Sequence, residues 1–201
     1  MVPQPQTAQT APTRTRPNKR EIILAAALEL FVDRGFHGTA VPALAQRAGV
    51  GAGTIYRYFD NKESLVNELY RACKSDIAAT VIGSISTDMP PREMFSSFWR
   101  ATIQWAGDNP KAFAFLELHH HASYLDAESR AVEQRAYTLC GSLLALMKDR
   151  GAVKDIDAGI LMTVVYGALI GFVRGAWEDR YPLDSEHIAT AETCIWEAIR
   201  R

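Results

Sequence analysis

Thr54, Tyr56, Arg57 and Tyr58 fall within five residues of one another, in the run Gly53-Thr-Ile-Tyr-Arg-Tyr-Phe59. Hydroxyls and a guanidinium at that spacing suit hydrogen bonding to phosphates and base edges. The interleaved Ile55 and Phe59, four apart, can turn the other way and pack with Leu44, Ala45 and Val50. Gly53 has no side chain, so backbone N–H groups there can approach a phosphate or a base closely. An aromatic core stripe is the competing use of Tyr56, Tyr58 and Phe59, and local charge weighs against it. Residues 1–62 carry eight basic and four acidic side chains and the remainder fourteen and nineteen, in a chain whose net charge is only −1. A basic head on an acidic body is the asymmetry expected when one end alone meets phosphates.

Elsewhere the candidate chemistry is thinner. His119, His120 and His121 are consecutive, but adjacent helical residues point about 100° apart, so three in a row on one helix cannot converge on an ion. Glu117-x-x-His120 matches half of a di-iron carboxylate bundle; the second half is missing, and Asp184-x-x-His187 is its nearest substitute. An all-α metal-dependent enzyme using Glu117 and His120 is therefore the alternative reading. Cys73, Cys140 and Cys194 are too few and too scattered for a disulfide framework or a zinc site, which suggests a reducing, cytoplasmic setting. Ser/His/Asp, phosphate-loop and dinucleotide signatures do not occur, so neither catalytic residues nor a cofactor are expected.

The elements that must position these residues are all helical. With 201 residues, 48% of them hydrophobic, the chain can bury one sizeable core or two small ones. Residues 1–17 are, after Met1 and Val2, Pro, Gln, Thr and Ala with Arg14 and Arg16, a composition that predicts a flexible basic arm. Asn18 and Glu21 have capping-box spacing and open a first helix that Gly35 stops. Thr39 can cap a second helix with Pro42 in its first turn and Gly49 at its end. A third covers about 52–59, and Asp60 with Glu63 predicts a cap for a long fourth running to about Ile82. Pro90-Pro91, Asn109-Pro110 and Asp126 open helices reaching about Trp105, His121 and Arg150; two more cover about 155–179 and 184–200. No period-two alternation predicts a strand, so the fold class is all-α with about nine helices. The apolar run 158–173 falls short of the roughly 20 residues that span a bilayer, so no membrane role is expected.

Helices two and three, joined at Gly49-Val50-Gly51, have the layout of a helix-turn-helix whose second helix enters the major groove. Residues 39–65, TAVPALAQRAGVGAGTIYRYFDNKESL, closely resemble the DNA-binding signature of the tetracycline-repressor (TetR/AcrR) family of transcriptional regulators. The resemblance lies in Ala-Gly-Val at 48–50, Gly-Thr-Ile-Tyr at 53–56, Tyr58-Phe59 and Lys62-Glu63. It implies that Thr39, Tyr56, Tyr58 and Lys62 hold phosphates, with Arg47, Ala52, Gly53, Thr54 and Arg57 at or near base edges. It also implies a DNA-binding domain at 18–62 and a ligand-binding and dimerisation domain at 63–201. The chain departs from the family in having Gly51 and Ala52 where a helix-capping hydroxyl and a cation are common. Ala52 can instead meet a thymine methyl.

In the body, Gly167, Gly171 and Gly175 recur every four residues on helix eight, and Ile188, Ala191, Ile195 and Ala198 form a stripe on helix nine. Both patterns also suit ordinary core packing. The resemblance implies that these helices pair with a second copy as a four-helix bundle, giving a homodimer on double-stranded, palindromic operator DNA. Helices five to seven and Tyr166 are expected to enclose a small hydrophobic effector through Phe98, Trp99, Thr102, Leu116, His120, Tyr124, Leu143 and Tyr166. His120 and Tyr124 are the expected polar anchors, and the expected outcome of binding is release of a repressor from its operator.

Overall fold

A computed structural model of the chain describes residues 18–201; the expected basic arm, with Arg14 and Arg16, lies outside them. Among the described residues nine helices form in chain order: α1 (Lys19–Arg34), α2 (Val41–Ala48), α3 (Ala52–Tyr58), α4 (Lys62–Ser84), α5 (Pro91–Asp108), α6 (Pro110–Leu118), α7 (Ala127–Asp149), α8 (Ala158–Trp177) and α9 (Ser185–Ile199). The only strand-like pairing among them is one isolated antiparallel bridge between Val153 and Arg200. The all-α expectation therefore holds.

Local chemistry accounts for most boundaries. Asn18 caps α1 with its Oδ1 3.0 Å from the Glu21 amide, while Glu21 accepts the Asn18 amide at 3.1 Å. Gly35 ends α1 at φ 69° and Gly49 ends α2 at φ 64°, and a positive φ costs a side-chain-bearing residue more. Two caps differ from expectation. Ala40, not Thr39, stands at the start of α2 and offers no side-chain bond. Asn61, not Asp60, caps α4, with its Oδ1 2.7 Å from the Ser64 amide; a cap one residue later suffices because Ser64 bonds back to the Asn61 amide at 3.2 Å. Helix α6 stops at Leu118, where His119 turns extended, so His119, His120 and His121 lie in the connection to α7.

Helices α1–α3 build a small head around Ile23, Ala27, Phe31, Leu44, Ala45, Ile55 and Phe59, all buried. Val50 packs against that core, so Ile55 and Phe59 point where their spacing predicted. Helix α4 carries the head's apolar surface into the body through Leu65, Val66, Leu69 and Tyr70, then lies against α5 and α7. The body core includes Phe95, Trp99, Ile103, Phe113, Phe115, Leu169 and Val173. A buried carboxylate secures α9: Glu192 pairs with Arg92 at 2.6 Å and Arg100 at 2.9 Å and accepts the Ser96 hydroxyl at 2.7 Å. Burial by itself would raise that carboxyl, but the bonds from Ser96, Arg100 and Arg92 outweigh it and hold it below the usual range.

Helix α8 is longer than the uncharged run inside it. Its 20 residues are long and apolar enough to cross a bilayer by length and composition. In the fold it packs against α5, α7 and α9, with Leu161, Val165, Leu169 and Val173 turned into the body. Ile160 and Val164 remain exposed, and Gly167 and Gly171 share their side of the helix.

Candidate nucleic-acid interface and effector cavity

Helix α3 presents two contrasting faces. Ile55 and Phe59 are sunk in the head, while Tyr56 is 56% and Tyr58 37% exposed, although both are large aromatics. Arg57 is exposed, its guanidinium carbon 5.3 Å from the centre of the Tyr58 ring. At the amino-terminal end Ala52 and Gly53 are exposed and Thr54 is half-buried. A Cβ built at Gly53 meets nothing within 4 Å, so its backbone is open to an incoming surface. The expected reading residues on α3 thus lie outside the buried Ile55–Phe59 stripe, with Thr54 partly covered.

Three others are placed differently. Thr39 is buried, with its hydroxyl 2.8 Å from the Gly35 carbonyl oxygen and 3.1 Å from that of Leu30. That hydroxyl satisfies carbonyls at the end of α1 instead of facing outward. Lys62 donates to the carbonyls of Phe36 at 2.8 Å and Thr39 at 3.0 Å, and its ammonium stands 4.2 Å from the Phe36 ring centre. It braces the α1–α2 turn against α4, with one of its three donors left over. Arg47 is exposed and paired with Glu29, which also takes Lys111 of α6 at 2.8 Å. The Lys111 and Arg47 hydrogen bonds hold the Glu29 carboxyl below its ordinary range. This pair of bridges ties α1 to α2 and to α6, a link that sequence spacing could not reveal.

In the body a cavity of about 490 Å³ lies among α4, α5, α6, α7 and α8. Phe98, Thr102, Leu116, Leu143 and Tyr166 line it as expected. Trp99 does not: it is fully buried against α9, its indole N–H donating to the Ile188 carbonyl at 3.3 Å. Tyr124 does not either, because its ring packs 4.3 Å from that of Phe36 at the join between body and head. His120 lines a separate, smaller cavity of about 340 Å³ with His119, His121, Arg130 and Glu133. Sequence reasoning missed the whole α4 wall, Lys74, Ile77, Ala78 and Val81, and the partners Glu117 and Glu133 as cavity residues.

The cavity's charges are organised. Lys74 and Glu117, with side chains 14% and 8% exposed, pair at 3.0 Å, and the Tyr166 hydroxyl donates to the same Glu117 oxygen at 2.7 Å. Burial, then the neighbouring Glu117 charge and hydrogen bond, push the Tyr166 phenol well above its usual range, so it stays a donor. With Glu117 so engaged and His120 beyond the end of α6, the Glu117-x-x-His120 pair does not present two ligands from one helical face. Among the described residues no group of three or more His, Cys, Asp or Glu is placed to hold a metal ion.

Between the cavities and the head, His121 is fixed by two bonds. Its Nε2 lies 2.6 Å from the Phe115 carbonyl oxygen, so that nitrogen carries the proton, and Nδ1 accepts the Tyr124 hydroxyl at 2.7 Å. Burial lowers the imidazole pKa, against the pull of the Phe115 carbonyl, and pushes the Tyr124 phenol up to about 12.

A helix-turn-helix with an outward recognition face, carried on a helical body with an apolar cavity, defines a ligand-responsive DNA-binding transcriptional regulator. Residues 23–69 match the family model of bacterial regulatory proteins, tetR family, and residues 70–201 that of the tetracyclin repressor-like C-terminal domain; the chain belongs to the TetR family. An uncharacterized HTH-type transcriptional regulator, YhgD of Bacillus subtilis, is 24% identical over 86% of this chain and 91% of its own. The fatty acid metabolism regulator protein of the same organism is 43% identical, over only 28% of each chain. The structure of a putative TetR-family transcriptional regulator from Vibrio parahaemolyticus matches with a TM-score of 0.75 at 30% identity, covering 92% of this chain and all of its own.

Proposed function

We propose that the chain is a homodimeric, cytoplasmic repressor that binds a pseudo-palindromic operator through α3 and leaves it when a small hydrophobic effector enters the body. The head is residues 18–62 and the effector and dimerisation unit residues 63–201, with the arm at 1–17 adding Arg14 and Arg16. It works by binding alone, without catalytic residues. The observation that carries the reading is the exposure of Tyr56, Arg57 and Tyr58 along α3 while Ile55 and Phe59 stay buried in the head. Tyr56 and Tyr58 hold phosphates; Ala52, Gly53, Thr54 and Arg57 meet base edges. Arg47 reaches DNA only by loosening its bridge to Glu29. Thr39 and Lys62 act chiefly by holding the turn before α2, which presents backbone N–H groups, and the spare Lys62 donor serves one phosphate.

Dimerisation uses the uncovered face of α8, Ile160, Val164, Gly167 and Gly171, where a Cβ added at either glycine meets nothing within 4 Å. A Cβ at Gly175 would stand 2.9 Å from the Tyr181 ring, so that glycine serves packing within the chain. Ile188, Ala191 and Ile195 are half-buried against the body's own core and contribute to a dimer only through what remains uncovered. Helix α4 is the lever: it walls the cavity at Lys74, Ile77 and Val81 and begins at Lys62, which grips the α1–α2 turn. An effector acts only by favouring a form whose two heads are wrongly spaced for DNA.

The test is equilibrium binding of the full chain to duplexes selected from a random pool, over a salt series. A symmetric selected site, with affinity falling steeply as salt rises, supports the reading; no selected site, or salt-independent binding, refutes it.

A further inference from the structure

We propose that the body binds an amphiphile with an uncharged apolar tail and an anionic head, a carboxylate or a phosphate monoester. The proposal rests on the reading of the body as an effector unit, and it names the ligand class and a head site that the apolar cavity alone does not contain. The two cavities are neighbours: Leu116 and Glu133 line both. In the larger one, walled by Ile77, Val81, Phe98, Leu143 and Ile170, the Lys74 ammonium is paired with Glu117 and the Tyr166 hydroxyl is spent on the same carboxylate. A charged group seated there would have to break that network in an apolar surround, at high cost. The larger chamber therefore takes a neutral chain.

The smaller chamber has the opposite character. His121 is spent at both ring nitrogens, but His119, His120 and Arg130 also line it. Arg130 uses one N–H on the Leu125 carbonyl, leaving the rest of its guanidinium fork for an oxyanion. Glu133 sits at the junction, its Oε1 accepting the Tyr70 hydroxyl at 3.0 Å. A head that passes Leu116 and Glu133 meets mostly donors, so it must be an acceptor, and a charged one gains most from Arg130. A cationic head would stop at Glu133, and that is the competing outcome the experiment separates.

The experiment uses the full-length protein without DNA and four probes below their micellar concentrations: tetradecanoate, tetradecyl phosphate, tetradecanol and tetradecyltrimethylammonium, with binding followed by tryptophan fluorescence and calorimetry. The anionic probes should bind at least tenfold tighter than the cation, and the tighter of the two identifies the head. Arg130→Gln should weaken both anions at least tenfold with little effect on tetradecanol, whereas Ile170→Trp should weaken every probe. Because Arg130 also holds the Leu125 carbonyl, His120→Ala, at an exposed position, serves as a second variant with the same selective loss. Equal binding of the cation, or anion affinity indifferent to both head variants, overturns the proposal. Operator release is measured separately: anions that bind in an Arg130-dependent way without releasing DNA leave this site standing and refute the effector reading.

Discussion

Helix α3 and the pair α5–α6 use the same residue types to opposite ends. On α3, Tyr56 and Tyr58 stay exposed although burying them would be favourable, because Ile55 and Phe59 already complete the head's core. On α5 and α6, Phe95, Trp99, Phe113 and Phe115 are all buried, and of the four only Phe95 also borders the cavity. A recognition surface is made of side chains the core does not need, a cavity of side chains the core has failed to bring together. The exposed aromatics of α3 should tolerate truncation without loss of stability, and the buried aromatics of α5 and α6 should not.

The largest effect that divides the two regions is at Trp99. Trp99→Ala should lower unfolding stability by about 3–5 kcal/mol, read by urea denaturation. Tyr56→Ala should change stability by no more than about 0.5 kcal/mol yet cost operator affinity at least about tenfold, some 1.4 kcal/mol. A Tyr56 variant that unfolds readily, or a Trp99 variant that is fully stable, breaks the distinction. The two glycines of α8 give a second division. Gly175→Leu should destabilise the chain by forcing Tyr181 off Phe172, whereas Gly171→Leu should leave the melting temperature of the isolated fold nearly intact and shift sedimentation from dimer to monomer. A dimeric Gly171→Leu variant with full DNA binding places the interface elsewhere.

Thr39→Val should cost about 1 kcal/mol of stability through the lost bonds to Leu30 and Gly35, and weaken all duplexes equally. Loss of affinity without loss of stability would return Thr39 to direct phosphate contact. The smallest expected effect is with pH. Glu192 titrates below the ordinary glutamate value of about 4.3, so the unfolded chain takes up the proton first as pH falls. The carboxylate's stabilising contribution is present above that ordinary value and is lost as pH drops through the lower, folded one. Melting temperature should therefore fall less steeply in acid for Glu192→Gln than for the natural chain; parallel curves would detach the carboxylate from acid stability.

The comparison also explains what could be read in advance. The capping box at Asn18 and Glu21, the stops at Gly35 and Gly49, and the inward pair Ile55 and Phe59 depend on neighbours within a few residues, so spacing reveals them. The α3 face followed, because a helix with one apolar side leaves the other to its polar residues. The caps at Ala40 and Asn61 differed by one position, because the Thr39 hydroxyl is spent on the Gly35 and Leu30 carbonyls and because Asn61, not Asp60, reaches the Ser64 amide. The cavity was legible only in part. Lys74 and Glu117 are 43 residues apart, as are no local motif's partners, and Trp99 and Phe98 are neighbours in sequence with opposite fates. Which of two adjacent aromatics faces a void depends on how α4, α7 and α9 close around α5. The bridge of Lys111 and Arg47 to Glu29 is likewise a product of tertiary packing.

The proposed function stands on the reading of DNA by the exposed residues of α3. The most direct measurement is the sequence preference of Arg57→Ala beside that of Tyr56→Ala, each selected from the same random duplex pool as the natural chain. Expected are a two-fold symmetric site for the natural chain, relaxed preference at one position in each half-site for Arg57→Ala, and an unchanged preference with uniformly weaker binding for Tyr56→Ala. Selected sites identical in sequence and affinity for all three proteins would contradict that reading.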